Sequence, residues 1–183
     1  MSLKKTRADF IPYDRAVNLG EKLIRDKKKK ILGLYIIVAT NTGLRISDVL
    51  SLKWKDFEGD SIKLNEKKTG KHREIQINDT IKKAISKFDK NTEYIFLSQK
   101  KTVYSRQQIN VLLKQVFSRE AKTLNVSSHS LRKSFGRRVF QNHNESDKSL
   151  IYLSELFNHT SPAITRQYLG IRQEELNDIY LNL

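Results

Sequence analysis

The sequence of 183 residues contains no cysteine. A disulfide framework, a thiolate zinc site and a cysteine nucleophile are therefore excluded together, and the cytoplasm is the compartment expected. Acidic residues are in the minority, with 20 Asp plus Glu against 35 Lys plus Arg, a formal net charge of +15. Such a surface attracts polyanions, and nucleic acid is the leading partner. Charge alone also suits a ribosome-associated or merely basic soluble protein. Long apolar runs are missing as well. The most apolar stretch, Ile31 to Ala39, is far shorter than the roughly 20 residues that cross a bilayer, so no membrane partner is expected. No apolar signal core follows the N-terminal charges, and nothing suggests export.

Hydrophobic residues make up 38% and charged residues 30% of the chain, a balance that suits one soluble globular domain able to bury a core. Residues 1–13 are basic and irregular up to Pro12 and read as an arm or linker end. Leu19, Leu23 and Ile24 give a short helical stripe, and the run Lys27 to Lys30 reads as a solvated face. Ile31 to Ala39 predicts a central helix buried on most sides, ended by Gly43 in a left-handed conformation. Ser47 and Asp48 are placed to cap a short following helix through Leu50 and Leu52, which puts Arg45 at a turn between helices. Trp54 and Phe57 read as packing residues.

Ser61 to Glu66 and His72 to Asn78 alternate apolar and polar positions around the turn residues Lys68-Thr69-Gly70-Lys71 and predict a β-hairpin. Tyr94 to Ser98 is the candidate for a third strand, with an Asn78-capped helix through Ile81, Ile85 and Phe88 between. Helical patterns follow at Gln107 to Arg119, Ser130 to Gln141, Ser149 to Phe157, Pro162 to Tyr168 and Glu174 to Leu183. Ser161-Pro162 marks one helix start as a cap with proline in the first turn. The fold class is thus α+β and mainly α, with a small three-stranded antiparallel sheet.

Groups suited to phosphoryl transfer without a metal recur in separate segments. Arg45 follows the helix-ending glycine, Lys68 occupies the hairpin turn, His129 and Arg132 lie three apart at a helix start, and His159 precedes Tyr168 by nine residues. Each alone is ordinary: an Arg after a Gly is usually a surface residue, and a Lys in a hairpin turn is usually solvated. Their order and spacing together are specific. Thr42-Gly43-Leu44-Arg45-Ile46-Ser47-Asp48 resembles the first box of the tyrosine recombinases, the family of phage integrases and Xer-type resolving enzymes. Lys68-Thr69-Gly70-Lys71-His72-Arg73 resembles their hairpin lysine segment. His129-Ser130-Leu131-Arg132 is similar to their histidine-x-x-arginine box, and Phe157-Asn158-His159-Thr160-Ser161-Pro162 through Tyr168 to their final box. The likeness spans roughly residues 30 to 175. Asn158 stands where many relatives carry glycine, and Asp48 keeps a carboxylate in position to brace Arg45.

The resemblance implies a catalytic domain over residues 14–173 with Tyr168 as nucleophile, which forms a 3′-phosphotyrosyl link and frees a 5′-hydroxyl. Arg45 and Arg132 would grip nonbridging phosphate oxygens as planar forks that stay protonated. His129 would accept the phenolic proton, Lys68 would protonate the leaving oxygen, and His159 would hydrogen-bond the phosphate. Lys71 competes with Lys68 for its role; the family pattern favours Lys68. Tyr152 and Tyr180, on amphipathic stretches, read as structural. No metal-binding cluster of acids is apparent, and no cofactor is expected.

Residues 174–183 place Leu176, Ile179, Tyr180 and Leu183 on one helical face, which either packs on its own domain or, as the resemblance implies, docks on a neighbouring protomer. The implied partners are double-stranded DNA, further copies in a tetramer, and an accessory DNA-bending protein. Arg73, Arg106, Arg137 and Arg138 are candidate phosphate-backbone contacts. Family members usually carry a DNA-clamping domain ahead of the catalytic one, for which this length leaves no room; affinity is then expected to be weak and salt-sensitive. Two other functions fit parts of the pattern: a type IB topoisomerase-like relaxing enzyme, and a DNA-binding regulator without catalysis.

Overall fold

The computed structural model of the chain describes residues 7–182. Two helices open it, α1 (Tyr13–Ile24) and α2 (Lys30–Thr42), followed by a single turn, α3 (Ile46–Val49). The hairpin comes next as β1 (Ser61–Asn65) and β2 (His72–Gln76), then α4 (Asp79–Ile85) and α5 (Arg106–Val116). Four consecutive helices complete the order: α6 (Ser128–Asn142), α7 (Asp147–Phe157), α8 (Pro162–Leu169) and α9 (Ile171–Leu181). No helix among the described residues is long and apolar enough to cross a membrane.

α2 is the pillar. Every residue from Leu32 to Thr42 is buried, which its nearly uninterrupted apolar sequence requires, because an all-round apolar helix has no face to offer water. α1, α4 and α5 supply Leu19, Leu23, Ile81, Ile109 and Leu113 to the same core. A second, smaller core joins α6 to α9 through Phe140, Leu150, Leu153, Phe157, Leu169 and Ile171. The boundary between the two cores is where Arg45, Glu66 and Arg132 gather.

Several local predictions are met by specific contacts. Gly43 ends α2 at φ 61°, the left-handed geometry that glycine adopts without a Cβ penalty. A Cβ there would also collide with the Phe135 ring. The hairpin is antiparallel, pairing Ile62 with Ile75 and Leu64 with Arg73. Asn78 accepts from the Ile81 N–H to cap α4, and Ser161 accepts from the Ile164 N–H to cap α8, with Pro162 in its first turn. Trp54 and Phe57 are buried packing residues.

Others are corrected. Among the described residues the sheet has two strands, not three: residues 94–98 make only isolated bridges, Lys53 to Tyr94 and Leu97 to Val103. Ile95 and Phe96 are both fully buried, so this segment plugs the core with successive side chains instead of alternating along a ladder. Ser47 and Asp48 do not cap α3, which begins at Ile46 with Arg45 in the extended cap position. α6 starts two residues earlier than the pattern suggests, because Ser127 accepts from the His129 N–H and forms a reciprocal box with Ser130. Tyr152 and Tyr180 are 45% and 76% exposed, so neither is a core residue; they lie on outward faces of α7 and α9. On α9, Leu176, Ile179 and Leu181 are also exposed, and Leu183 lies outside the described residues.

Candidate active site

The site forms where the C-terminal end of α7 meets the turn after α2. The last four carbonyls of a helix have no intrahelical donor and carry its negative dipole end, so cations satisfy them well. Here arginines do so. The Phe157 carbonyl accepts from Arg45 Nη2 at 3.0 Å and from Arg132 Nη2 at 3.1 Å, and the preceding Leu156 carbonyl accepts from Arg73 Nη1 at 3.0 Å. One backbone oxygen thus holds the two arginine forks side by side. Arg132 also donates to the Gly43 carbonyl and lies over the Phe157 ring at 4.3 Å from its centroid. Burial draws the Arg132 guanidinium down to about 10, with Arg45 and Arg73 adding to the effect. It remains charged at neutral pH.

Asn158 follows in the left-handed region, φ 52°. That conformation accounts for the asparagine, one of the few non-glycine residues that enter it readily. It turns the chain so that His159 and then α8 pack back on Phe157. The rings of Phe157, His159 and Tyr168 meet pairwise, with centroids 5.2 to 5.6 Å apart. Gly136 on α6 permits this packing, because a Cβ there would strike Phe157 and Leu169.

Arg45, Lys68, His129 and Arg132 line one cleft of about 470 Å³, together with Lys67 and Arg106. An adjoining hollow of about 420 Å³ is lined by His129, Lys133, Gln167 and Tyr168, so His129 forms part of both walls. All six residues singled out by the sequence therefore gather around Phe157 and the two clefts. Lys68 and Lys71 diverge: Lys68 lines the same cleft as Arg45 and Arg132, whereas Lys71 Nζ reaches Asn158 Oδ1 at 2.6 Å.

The protonation states are uneven. Burial pushes the Tyr168 phenol above its ordinary 10, against the pull of Arg132 and Arg45. Its hydroxyl is buried beside the Arg132 guanidinium and makes no hydrogen bond of good geometry among the described residues. His159 is drawn down to about 4 by burial and by the charges of Arg132 and Arg45, and its Nδ1 lies 2.9 Å from the Thr165 hydroxyl. His129 reaches solvent at the cleft mouth, yet the crowding of its walls and then Arg132, Lys133 and Arg45 hold it below 6.5. Both imidazoles are neutral at pH 7.

Two groups escaped the sequence reading. Glu66, 4% exposed, is the carboxylate that braces Arg45, through Oε2 at 2.6 Å from Nη1. Asp48 does not take that place; its Oδ1 accepts from the Lys67 N–H instead. The other is the Phe157 carbonyl, which has no side-chain signature. Of the proposed DNA-contacting arginines, Arg73 is committed to Glu66 and Leu156, and Arg137 to Glu174 and the Leu169 carbonyl. Arg138 lies over the Tyr13 ring, and Arg106 alone of the four borders the cleft. Among the described residues, no three His, Asp or Glu side chains are grouped as metal ligands would be.

The phage integrase family model matches residues 12–175. The chain belongs to the phage integrase family. It is 32% identical over 168 residues to the probable integrase/recombinase YoeC of Bacillus subtilis, covering 87% of this chain and 88% of that protein. It is 26% identical to the tyrosine recombinase XerC of Pediococcus pentosaceus, covering 96% of this chain and 64% of that protein. Its fold is that of the XerA recombinase, with a TM-score of 0.71 at 19% identity over 100% of this chain and 66% of that one. A lambda integrase dimer bound to a core site has a TM-score of 0.68 at 20% identity, over 92% of this chain and 49% of that one. This integrase-family domain therefore has the tyrosine recombinase catalytic fold.

Proposed function

We propose that this integrase-family domain cuts and rejoins double-stranded DNA by metal-independent transesterification, with Tyr168 as nucleophile. The single observation that carries this reading is the Phe157 carbonyl shared by Arg45 and Arg132, next to the tyrosine ring. Two fixed guanidiniums that converge on one oxygen form a receptor for an anion, and of the five N–H donors that each carries, two nitrogens are engaged by the carbonyl and carboxylate oxygens of the described residues.

In the proposed step, Tyr168 Oη bonds to phosphorus while the bond from phosphorus to the 5′ oxygen breaks. Arg45 and Arg132 take up the negative charge that grows on the nonbridging oxygens. The phenol is protonated at neutral pH, so it needs a base, and neutral His129 accepts its proton. Lys68 gives a proton to the departing 5′ oxygen. His159, with the Thr165 hydroxyl donating to Nδ1, presents an Nε2–H to the phosphate. The product is a 3′-phosphotyrosyl link and a free 5′-hydroxyl, and the reverse step with another strand's hydroxyl rejoins DNA without an outside energy source.

Residues 14–173 form the catalytic unit in this reading, and residues 174–183 an exchangeable C-terminal segment. The exposed Leu176, Ile179 and Leu181 support docking on a neighbouring copy within a tetramer on DNA, with an accessory DNA-bending protein as a further partner; the cytoplasm suits the chain. The test is incubation with a pool of nicked duplexes randomised around the nick, followed by denaturing recovery of covalent adducts. Wild type should yield an adduct that Tyr168→Phe abolishes; an adduct that survives the substitution moves the nucleophile elsewhere.

A further inference from the structure

Glu66 is a buried carboxylate with a demanding set of partners. Its Oε2 lies 2.6 Å from Arg45 Nη1 and accepts from the Thr69 hydroxyl at 2.9 Å, while Oε1 lies 3.2 Å from Arg73 Nη1. Its backbone closes the hairpin turn: the Glu66 N–H donates to the Lys71 carbonyl at 2.9 Å, and the Gly70 N–H to the Glu66 carbonyl at 2.8 Å. Lys68 is therefore carried on a turn in which Glu66, two residues before it, and Thr69, just after it, are bonded to each other. The same carboxylate oxygen that fixes the turn also fixes Arg45.

We propose that Glu66 is a positioning residue of the transesterification, which holds the Arg45 fork and the Lys68 turn in register with each other. The inference rests on the function proposed above. A group that binds a nonbridging oxygen and a group that protonates the leaving oxygen serve one phosphate, and their separation has to be held to a fraction of an ångström for both to act in the same transition state. They come from segments twenty-three residues apart in sequence, and Glu66 Oε2 is the atom that joins them. Stability alone explains the arrangement poorly. Burying an ion pair costs desolvation that well-packed apolar residues avoid, so buried pairs are often no better for folding than their hydrophobic replacements. Burial pushes the carboxyl up, but Thr69, Arg45 and Arg73 more than offset this and keep it below the usual carboxylate range. It is ionised throughout the working pH range.

The test compares wild type, Glu66→Gln and Thr69→Val in single-turnover adduct formation. The substrate is the nicked duplex that wild type captures best from the randomised pool, made with either oxygen or sulfur at the bridging 5′ position of the scissile bond. A thiolate, with a thiol pKa of about 8.5, leaves without the proton that an alkoxide needs, so sulfur removes the dependence on Lys68. On the oxygen substrate, Glu66→Gln should slow the reaction by about tenfold or more. The sulfur substrate should recover part of that loss, the portion transmitted through Lys68, and leave the Arg45 portion. Thr69→Val, which removes the hydroxyl bond to Glu66 and the longer contact from the Lys71 N–H within the same turn but leaves the Glu66–Arg45 pair, should show a smaller loss that sulfur recovers fully.

A Glu66→Gln loss of equal size on both substrates, or no loss, overturns the proposal and leaves Glu66 a structural ion pair. Should Glu66→Gln no longer unfold cooperatively, Thr69→Val decides, and a wild-type rate on the oxygen substrate overturns the proposal. Absence of any Tyr168-linked adduct from wild type is a different failure: it removes the underlying function, and this inference with it, before any variant is compared.

Discussion

Inorganic phosphate should stabilise the folded chain through the arginine pair. Three guanidiniums, Arg45, Arg73 and Arg132, meet the carboxylates of Glu66 and Asp48 in a buried region. Two guanidiniums that share one carbonyl repel each other by a few kcal/mol at an effective dielectric constant of about 20. An anion between them relieves that repulsion. Two charge-assisted contacts at about 1.5–3 kcal/mol each bracket 4 kcal/mol, which corresponds to a Kd of about 1 mM. At a ligand concentration of about a hundred times Kd, linkage then adds about 2.7 kcal/mol to the stability of the folded state. For a chain of this size that is a rise in Tm of about 5–10 °C. Phosphate also strengthens apolar burial in any protein, so the assay is differential scanning fluorimetry in phosphate against chloride of equal ionic strength, for wild type and Arg45→Gln. The specific part of the shift should disappear in the variant while the general part stays. An equal phosphate shift in both proteins would refute the idea that Arg45 and Arg132 form one anion receptor.

Gly43→Ala forces a side chain into the left-handed region and against Phe135; chemical denaturation should show a loss of at least about 1–2 kcal/mol, with adduct formation reduced further because Arg45 follows two residues later. Tyr168→Phe removes a buried hydroxyl that makes no hydrogen bond of good geometry among the described residues and is only drawn towards the Arg132 charge, so its Tm should stay within a few degrees of wild type even though the adduct is lost; a drop of several degrees would mean that the hydroxyl is firmly bonded. His159 gives a pH dependence of stability with a definite sign. Its folded pKa of about 4 lies below the 6.5 of an ordinary imidazole, so the unfolded chain binds the proton first, and stability should fall as pH drops through the window from 6.5 to 4. His159→Asn should flatten the Tm profile across that window, and an unchanged slope contradicts the assignment.

The parts of this site that are written in side chains could be read from the sequence. Gly43 before Arg45, the turn residues around Lys68, the His129 and Arg132 pair, and Ser161-Pro162 ahead of Tyr168 each carry a local signature. The parts held by backbone or by burial could not. The Phe157 carbonyl acts through helix geometry, and any residue at position 157 would offer the same oxygen. Glu66 looks like the last polar residue of an alternating strand until its neighbours are known. The third strand failed because Ile95 and Phe96 are apolar enough for a strand but bury side chains on consecutive positions. Tyr152 and Tyr180 show the reverse error, since an amphipathic pattern identifies a face but not whether anything covers it.

In the proposed reaction the Tyr168 phenol becomes bonded to the phosphate that the two arginines hold. The direct measurement is to trap the adduct on a nicked duplex, digest protein and DNA, and sequence the modified peptide by tandem mass spectrometry. A nucleotide attached through its 3′ phosphate to Tyr168, with a free 5′-hydroxyl on the released strand, is the predicted result. Attachment to any other residue, or through a 5′ phosphate, would contradict the account.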